Sequence, residues 1–338
     1  MRRFFLIVLI VILALGLVGG VAFWWVNKPL MQGAQIVDFT VEVGSPARAV
    51  AQSVADSGVK VDPMLLYWWF RLSGQSRGIK AGSYELEPGQ TPGTILQKLV
   101  RGEESLQSMT LPEGLTFVQF RQLLAQEVLL KQESRNLGAD LVMQKLGKPG
   151  ISPEGRFFPD TYSFAKGTSD LAVLKQALRA MDKHLETAWS TRQPDTPLKS
   201  PEQVLILASI IEKETGRGSD RSLISGVFTN RLKIGMMLQT DPTVIYGMGE
   251  KFDGNLRKRD LQTDTPWNTY TRPGLPPTPI AMPGKAALIA AVQPAQTKAL
   301  YFVARGDGTS QFSATLDEHN RAVNKYQRGK PAADRERQ

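Results

Sequence analysis

The sequence predicts an α+β protein held behind a single N-terminal transmembrane helix, and three observations lead there. An uncharged run, Phe4–Val26, directly follows Met1-Arg2-Arg3. Beyond it, short segments alternating apolar and polar residues interleave with longer stretches of helical period. One later stretch, residues 204–211, is apolar on nearly every helical face, which requires a core large enough to surround a helix.

The N-terminal run is 23 residues long. As a helix rising ~1.5 Å per residue it spans ~35 Å, enough to cross a bilayer core of ~30 Å. Arg2 and Arg3 flank one end, and Trp24, Trp25 and Lys28 the other. Basic flanks stay in the cytoplasm and tryptophans favour the headgroup layer, so the N-terminus is cytoplasmic and the remainder extracytoplasmic. The alternative is a cleaved signal peptide, with ~7–15 apolar residues and a small-x-small site. Gly16, Gly19, Gly20 and Ala22 keep that alternative open.

The 338 residues leave room for two domains, with 22% charged and 42% hydrophobic residues in ordinary globular balance. The absence of cysteine excludes thiol catalysis, cysteine zinc sites and disulfides. With His184 and His319 as the two histidines, a multi-histidine metal site is disfavoured, and no metal or cofactor is expected. The net charge of +9 attracts anions, but the basic residues are scattered, no Gly-rich phosphate loop occurs, and the chain leaves the cytoplasm. Nucleic acid is therefore not an expected partner. Anionic lipid headgroups or an anionic wall polymer are, beside the plainer reading of a solvated basic surface.

Residues 27–35 read as a stalk. Residues 36–43 alternate as a half-buried strand, and Pro46 starts a helix through Val50 and Val54 that Gly58 closes. A second helix carries Met64, Leu65, Trp68, Trp69, Phe70 and Leu72, with the tryptophans read as core rather than as sugar-stacking rings. A strand over 81–86 and a helix from Thr91 complete a β-α-α-β-α module. A further strand at 108–111 and a helix through Phe117, Phe120 and Leu124 follow. Residues 152–162 hold too much Pro and Gly for a helix and too many aromatics for an idle loop. A helix over 171–189, a Pro-rich linker over 192–198, a strand over 301–303 and a late helix with His319 are also expected. The charged tail, 328–338, is read as disordered.

The chemically suggestive segment is 200–216. Ser200 suits an N-cap, Pro201 the first helical position, and Gln203 a capping box. The buried stretch ends in Glu212 and Glu214, with Gly216 as the stop. Carboxylates are unfavourable at this end of a helix, where unpaired carbonyls concentrate negative charge. Glu214 extends the stripe of Leu207, Ile210 and Ile211, whereas Glu212 extends the smaller, more polar stripe of Ala208 and Ser209. Desolvation and the helix end should raise the pKa of Glu214, as a general acid requires. The rival reading is a surface ion pair of Glu214 with Lys213 or Arg217.

Several motifs carry a resemblance. They are Ala208-Ser209-Ile210-Ile211-Glu212-Lys213-Glu214-Thr215, the helix with Asn230 and Arg231, residues 238–247 (Leu-Gln-Thr-Asp-Pro-Thr-Val-Ile-Tyr-Gly), Trp267-Asn268-Thr269-Tyr270, Gly274-Leu275-Pro276-Pro277 and Phe157-Phe158-Pro159-Asp160-Thr161-Tyr162. In these the chain resembles the MltG, or YceG-like, family of endolytic murein transglycosylases, over nearly its whole length. The resemblance implies an inner-membrane anchor (1–30), a LysM-like module (36–104) and a YceG-like catalytic domain (105–327). It also implies cleavage of the β-1,4 bond between N-acetylmuramic acid and N-acetylglucosamine in peptidoglycan, with 1,6-anhydro ends, and a partnership with peptidoglycan synthases. The family's essential glutamate falls on Glu214.

Gln239, Asp241, Tyr246, Asn268 and Tyr270 are candidate glycan contacts, each with loop fixation as the alternative. Asp160, also placed among the candidate glycan contacts, is either a second carboxylate or an Asx-turn residue, and Glu154 stands similarly. Two rival functions remain open. One is a muramidase that hydrolyses the same bond with Asp160 or Asp241 as second carboxylate. The other is a non-catalytic wall-binding scaffold.

Overall fold

A computed structural model describes residues 2–30, 36–214 and 217–328. Residues 31–35 of the expected stalk, Gly216 and all of the expected tail but Arg328 lie outside them. The fold is mixed α+β with an N-terminal apolar helix, α1 (Arg2–Val26), whose span Phe4–Val26 has mean hydropathy 3.1 and is unburied. Two compact units follow from the chain contacts: residues 1–107 with 163–168, and residues 108–162 with 169–338.

The first unit contains β1 (Val37–Val41), α2 (Ala47–Asp56), α3 (Pro63–Leu72), β2 (Gly82–Leu86) and α4 (Pro92–Arg101). β1 and β2 pair antiparallel, Val37 opposite Leu86 and Val41 opposite Gly82. Alternate strand residues Phe39, Val41, Tyr84 and Leu86 point inward onto Val50, Val54, Leu66, Phe70, Ile95 and Leu99. Thr91 caps α4 through a reciprocal box with Thr94, and Gly102 ends it in the left-handed conformation.

One expectation fails here. Trp68 is not core: it is 48% exposed, while Trp69 is half-buried with its indole Nε1 donating to Pro92 O at 3.1 Å. α3 is apolar on nearly every side, so its sequence does not say which face turns inward. A two-stranded sheet covers little area, and α3 buries Leu66 and Phe70 alone.

Further along the chain come the paired strands β3 (Leu106–Thr110) and β4 (Thr161–Ala165), with α5 (Phe117–Gln126) and α6 (Ala139–Lys145) between them in sequence. Then come α7 (Asp170–Ser190), α8 (Pro201–Glu214), α9 (Gly218–Lys233), α10 (Asp241–Met248), α11 (Lys258–Gln262) and α12 (Lys285–Val292). The antiparallel strands β5 (Tyr301–Ala304) and β6 (Ser310–Ser313), with Phe302 opposite Phe312, and the helix α13 (Leu316–Val323) complete the second unit.

α8 is the central rod. Every residue from 204 to 211 is buried, packed against α7, α9 and α12. Its start is as expected in part. Ser200 Oγ accepts from Gln203 N at 3.3 Å, but the Gln203 side chain accepts from Lys199 N at 2.7 Å, one residue before the position a capping box uses. The buried Ser209 hydroxyl donates to Ile206 O and accepts from Ile280 N at 3.0 Å, which satisfies the one polar side chain in this stretch.

Candidate active site

The two carboxylates at the end of α8 have different fates. Glu212 is held: its oxygens accept from Gly284 N at 2.9 Å and from Arg221 at 3.3 Å, and its side chain is 6% exposed. Glu214 is partly exposed and accepts a hydrogen bond from Thr240 Oγ1. The neighbouring Lys213 turns away, its Nζ donating to Gly114 O at 3.1 Å. Burial pushes the Glu214 pKa up to about 6. The Thr240 hydrogen bond opposes this, the charge of Asp241 adds to it, and Arg231 opposes it.

Thr240 is fixed before it meets Glu214. Its N donates to Thr269 Oγ1 at 3.1 Å, and Thr243 Oγ1 donates to Thr240 O at 2.7 Å. It occupies the N-cap of α10, yet its side chain makes no cap bond to that helix and serves Glu214 instead. Gln239, beside it, has φ of +49°, the one non-glycine residue with positive φ among the described residues. Such backbone costs about 1 kcal/mol or more and persists where its surroundings hold it. Here Gln239 N donates to Thr269 O at 3.1 Å, leaving the side chain exposed.

Asp241 follows as the first residue of α10, where the helix N-terminus favours a negative charge. Tyr270 donates its phenolic proton to Asp241 Oδ1 at 2.6 Å. Arg231, on α9, bonds Leu300 O at 2.6 Å and Leu238 O at 2.7 Å, and its guanidinium lies 5.2 Å from the ring centre of Tyr301. It thereby ties the strand β5 to the loop carrying Gln239. Together these groups line a cavity of about 680 Å³ that also includes His319 and Asn320. That volume is within the range of ligand sites, ~300–1,000 Å³.

Of the residues expected from sequence, the cavity gathers Glu214, Gln239, Asp241 and Tyr270. It does not gather the other three. Asn268 is fully buried, its amide donating to Leu261 O and Thr263 O while Oδ1 accepts from Tyr270 N at 2.8 Å. It fixes the loop that presents Tyr270 and has no surface to offer a sugar. Tyr246 packs edge-on against Trp267 and donates to Glu154 at 3.1 Å. Asp160 accepts from the adjacent Thr161 N at 2.7 Å, the self-satisfying contact of a turn. Asn268 thus fixes its loop, Tyr246 joins α10 to Glu154, and Asp160 stands exposed outside the cavity.

Sequence reasoning missed Thr240, Tyr301 and the position of His319. Thr240 stands between two nominated residues, so its neighbours were the available signal. His319 stacks on Tyr301 with ring centres 5.2 Å apart, and its buried Nδ1 has no hydrogen-bond partner among the described residues. Burial, with Arg231 nearby, lowers its pKa and favours the neutral ring.

The YceG-like family profile matches residues 39–325. An endolytic murein transglycosylase of Bacillus subtilis (strain 168) is 34% identical over 310 residues, covering 86% of this chain and 84% of that protein. One of Streptococcus pneumoniae (strain D39) is 28% identical over 313 residues, which is 83% of this chain and 56% of the longer relative. A Listeria monocytogenes protein described as yceG-like, with a 2.6 Å crystal structure, is 29% identical with a TM-score of 0.53, covering 85% of this chain and 98% of that one. A profile match over most of the length, together with the Bacillus relative, shows that the chain belongs to the YceG-like family.

Proposed function

We propose that this chain is an endolytic lytic transglycosylase. It would cut the β-1,4 bond between N-acetylmuramic acid and N-acetylglucosamine within nascent peptidoglycan strands and so end their elongation. The observation that carries the reading is the seating of Glu214: a carboxyl at the edge of an open polar cavity, raised to about 6 by burial and aimed by one hydroxyl. The names of the curated relatives supply the substrate class.

In this mechanism protonated Glu214 donates to the glycosidic oxygen as the C1–O4 bond breaks, and the N-acetylglucosamine leaves with that proton. The resulting carboxylate accepts the proton of the muramyl C6 hydroxyl as O6 bonds to C1, closing the 1,6-anhydro ring without water. One carboxyl serves both halves, which suits a pKa close to working pH. The attack is intramolecular and gains from proximity. Gln239, Asp241 and Tyr270 would contact the glycan, with Asp241 also keeping the pKa of Glu214 raised. Around this reaction we place α1 as a single-pass inner-membrane anchor with a cytoplasmic N-terminus, and residues 36–104 as a LysM-like module. A partnership with peptidoglycan synthases rests on family resemblance alone.

Asp241 supports one rival. A second carboxylate lining the same cavity would let water be activated, as in a hydrolytic muramidase. Mass spectrometry of peptidoglycan digested by the purified protein separates the two. Anhydromuramic ends are expected, and reducing muramic ends in their place would replace the transglycosylase reading with the hydrolytic one.

A further inference from the structure

The outward face of α3 is uncovered among the described residues. Met64, Leu65, Trp68 and Leu72 are 44%, 52%, 48% and 79% exposed. At ~100° per residue they fall on one stripe, with the buried Leu66 and Phe70 behind it. We infer that this face docks into the headgroup and upper acyl layers of the same bilayer that α1 spans, so that the N-terminal unit rests on lipid rather than swinging from a tether. The inference rests on reading α1 as a membrane anchor.

The way α1 joins its unit argues for this occupant. Trp25 and Leu30 pack on the unit's core, and Leu30 N donates to Gln90 O at 2.9 Å. Val26 lies so close to Gly93 that a methyl group there would stand 3.2 Å from Val26 Cγ1. α1 is thus seated against α4, and this seating puts its last turns beside α3. Between α1 and α3 opens a recess of about 480 Å³, walled by Leu17, Val21 and Trp24 on one side and Leu65, Trp68 and Leu72 on the other.

Leu17 lies nine residues before Val26, or ~13 Å deeper along a spanning helix, within the hydrocarbon. A recess with that wall in hydrocarbon is filled by acyl chains, and its opposite wall shares the depth. The rim carries groups suited to lipid phosphates and the interface. Lys28 Nζ sits 4.8 Å over the Trp24 ring, and Arg71 donates to Tyr67 OH at 3.0 Å at the edge of the apolar stripe. A glycan is a poor occupant, because the recess walls offer no polar side chain beside the rings except the Trp indoles.

The chain has no cysteine, so single nitroxide labels can be placed at will in the full-length protein. Labels at Leu65→Cys and Leu72→Cys would be compared with Leu13→Cys in α1 and Gln52→Cys on α2. The protein would be reconstituted in vesicles of phosphatidylcholine and phosphatidylglycerol at three to one, with oxygen and a nickel chelate as collision probes. The ratio of oxygen to nickel accessibility at Leu65 and Leu72 should exceed that at Gln52 by about tenfold, approaching Leu13. A lipid-like ratio at Leu13 with a water-like ratio at both α3 positions would overturn the docking while leaving the anchor intact. A water-like ratio at Leu13 would overturn both. Spin–spin broadening at Leu72 that vanishes on dilution with unlabelled chain would seat a second copy on this face and reject lipid.

Discussion

Two glutamates in the second unit sit beside tyrosines, and only one opens to a cavity. Glu154 is 5% exposed, accepts from Phe117 N at 3.1 Å and from Tyr246 OH at 3.1 Å, and burial raises its pKa to about 7. Glu214 reaches about 6, with Asp241 and Tyr270 beside it at the cavity. Ranked by pKa alone, the sealed acid would be chosen. The contrast teaches that desolvation makes an acid weak, whereas access to a cavity makes a weak acid usable. Glu154 uses its oxygens to join α5 to α10; Glu214 leaves one side for a ligand.

The sharpest way to break this contrast is Glu214→Gln, which keeps the Thr240 contact and removes the proton. Release of anhydro fragments from purified peptidoglycan should fall about 10³-fold with the melting temperature unchanged. A loss under tenfold would remove Glu214 from the chemistry.

Glu154→Gln should do the reverse. Its carboxyl is neutral in folded and unfolded chains below the ordinary value of 4.5, and above it the unfolded chain ionises first. Stability is therefore fully present below pH 4.5 and declines as pH rises through about 7. Between those limits wild type should lose about 3 kcal/mol more than the variant in denaturation series, with fragment release within a few-fold. A collapse of activity matching Glu214→Gln would mean the sealed site takes part after all.

Smaller effects test how the open site is arranged. Tyr270→Phe removes the donor to Asp241 and should cost about tenfold in kcat/KM, near the value of one charged hydrogen bond. Asp241→Asn removes a charge that raises the Glu214 pKa, so the alkaline limb of the kcat/KM profile should move to lower pH. An unmoved limb would show that the fall in rate at high pH is not the ionisation of Glu214.

Much of the first unit was legible because its signals are local. Pro46, Gly58, Thr91 and the alternation of Phe39 and Val41 mark ends and faces within a few residues. Less was legible at the cavity. Asp241-Pro242 reads as a turn, and here it opens α10. Tyr246 and Asn268 carry the same chemistry as Tyr270 but point into packing, since their direction depends on Trp267, Glu154 and the 261–263 loop.

By itself the sequence determined that an apolar helix leads the chain, that a second helix is buried on all sides, and that Glu214 extends its apolar stripe. Each follows from hydrophobic period, which the backbone reads without distant partners. The tertiary structure decided that Glu212 is paired while Glu214 is open, that Thr240 rather than a lysine meets Glu214, and that α3 turns its larger apolar face outward. Those outcomes depend on which surfaces are left after packing, and chain order does not carry that information.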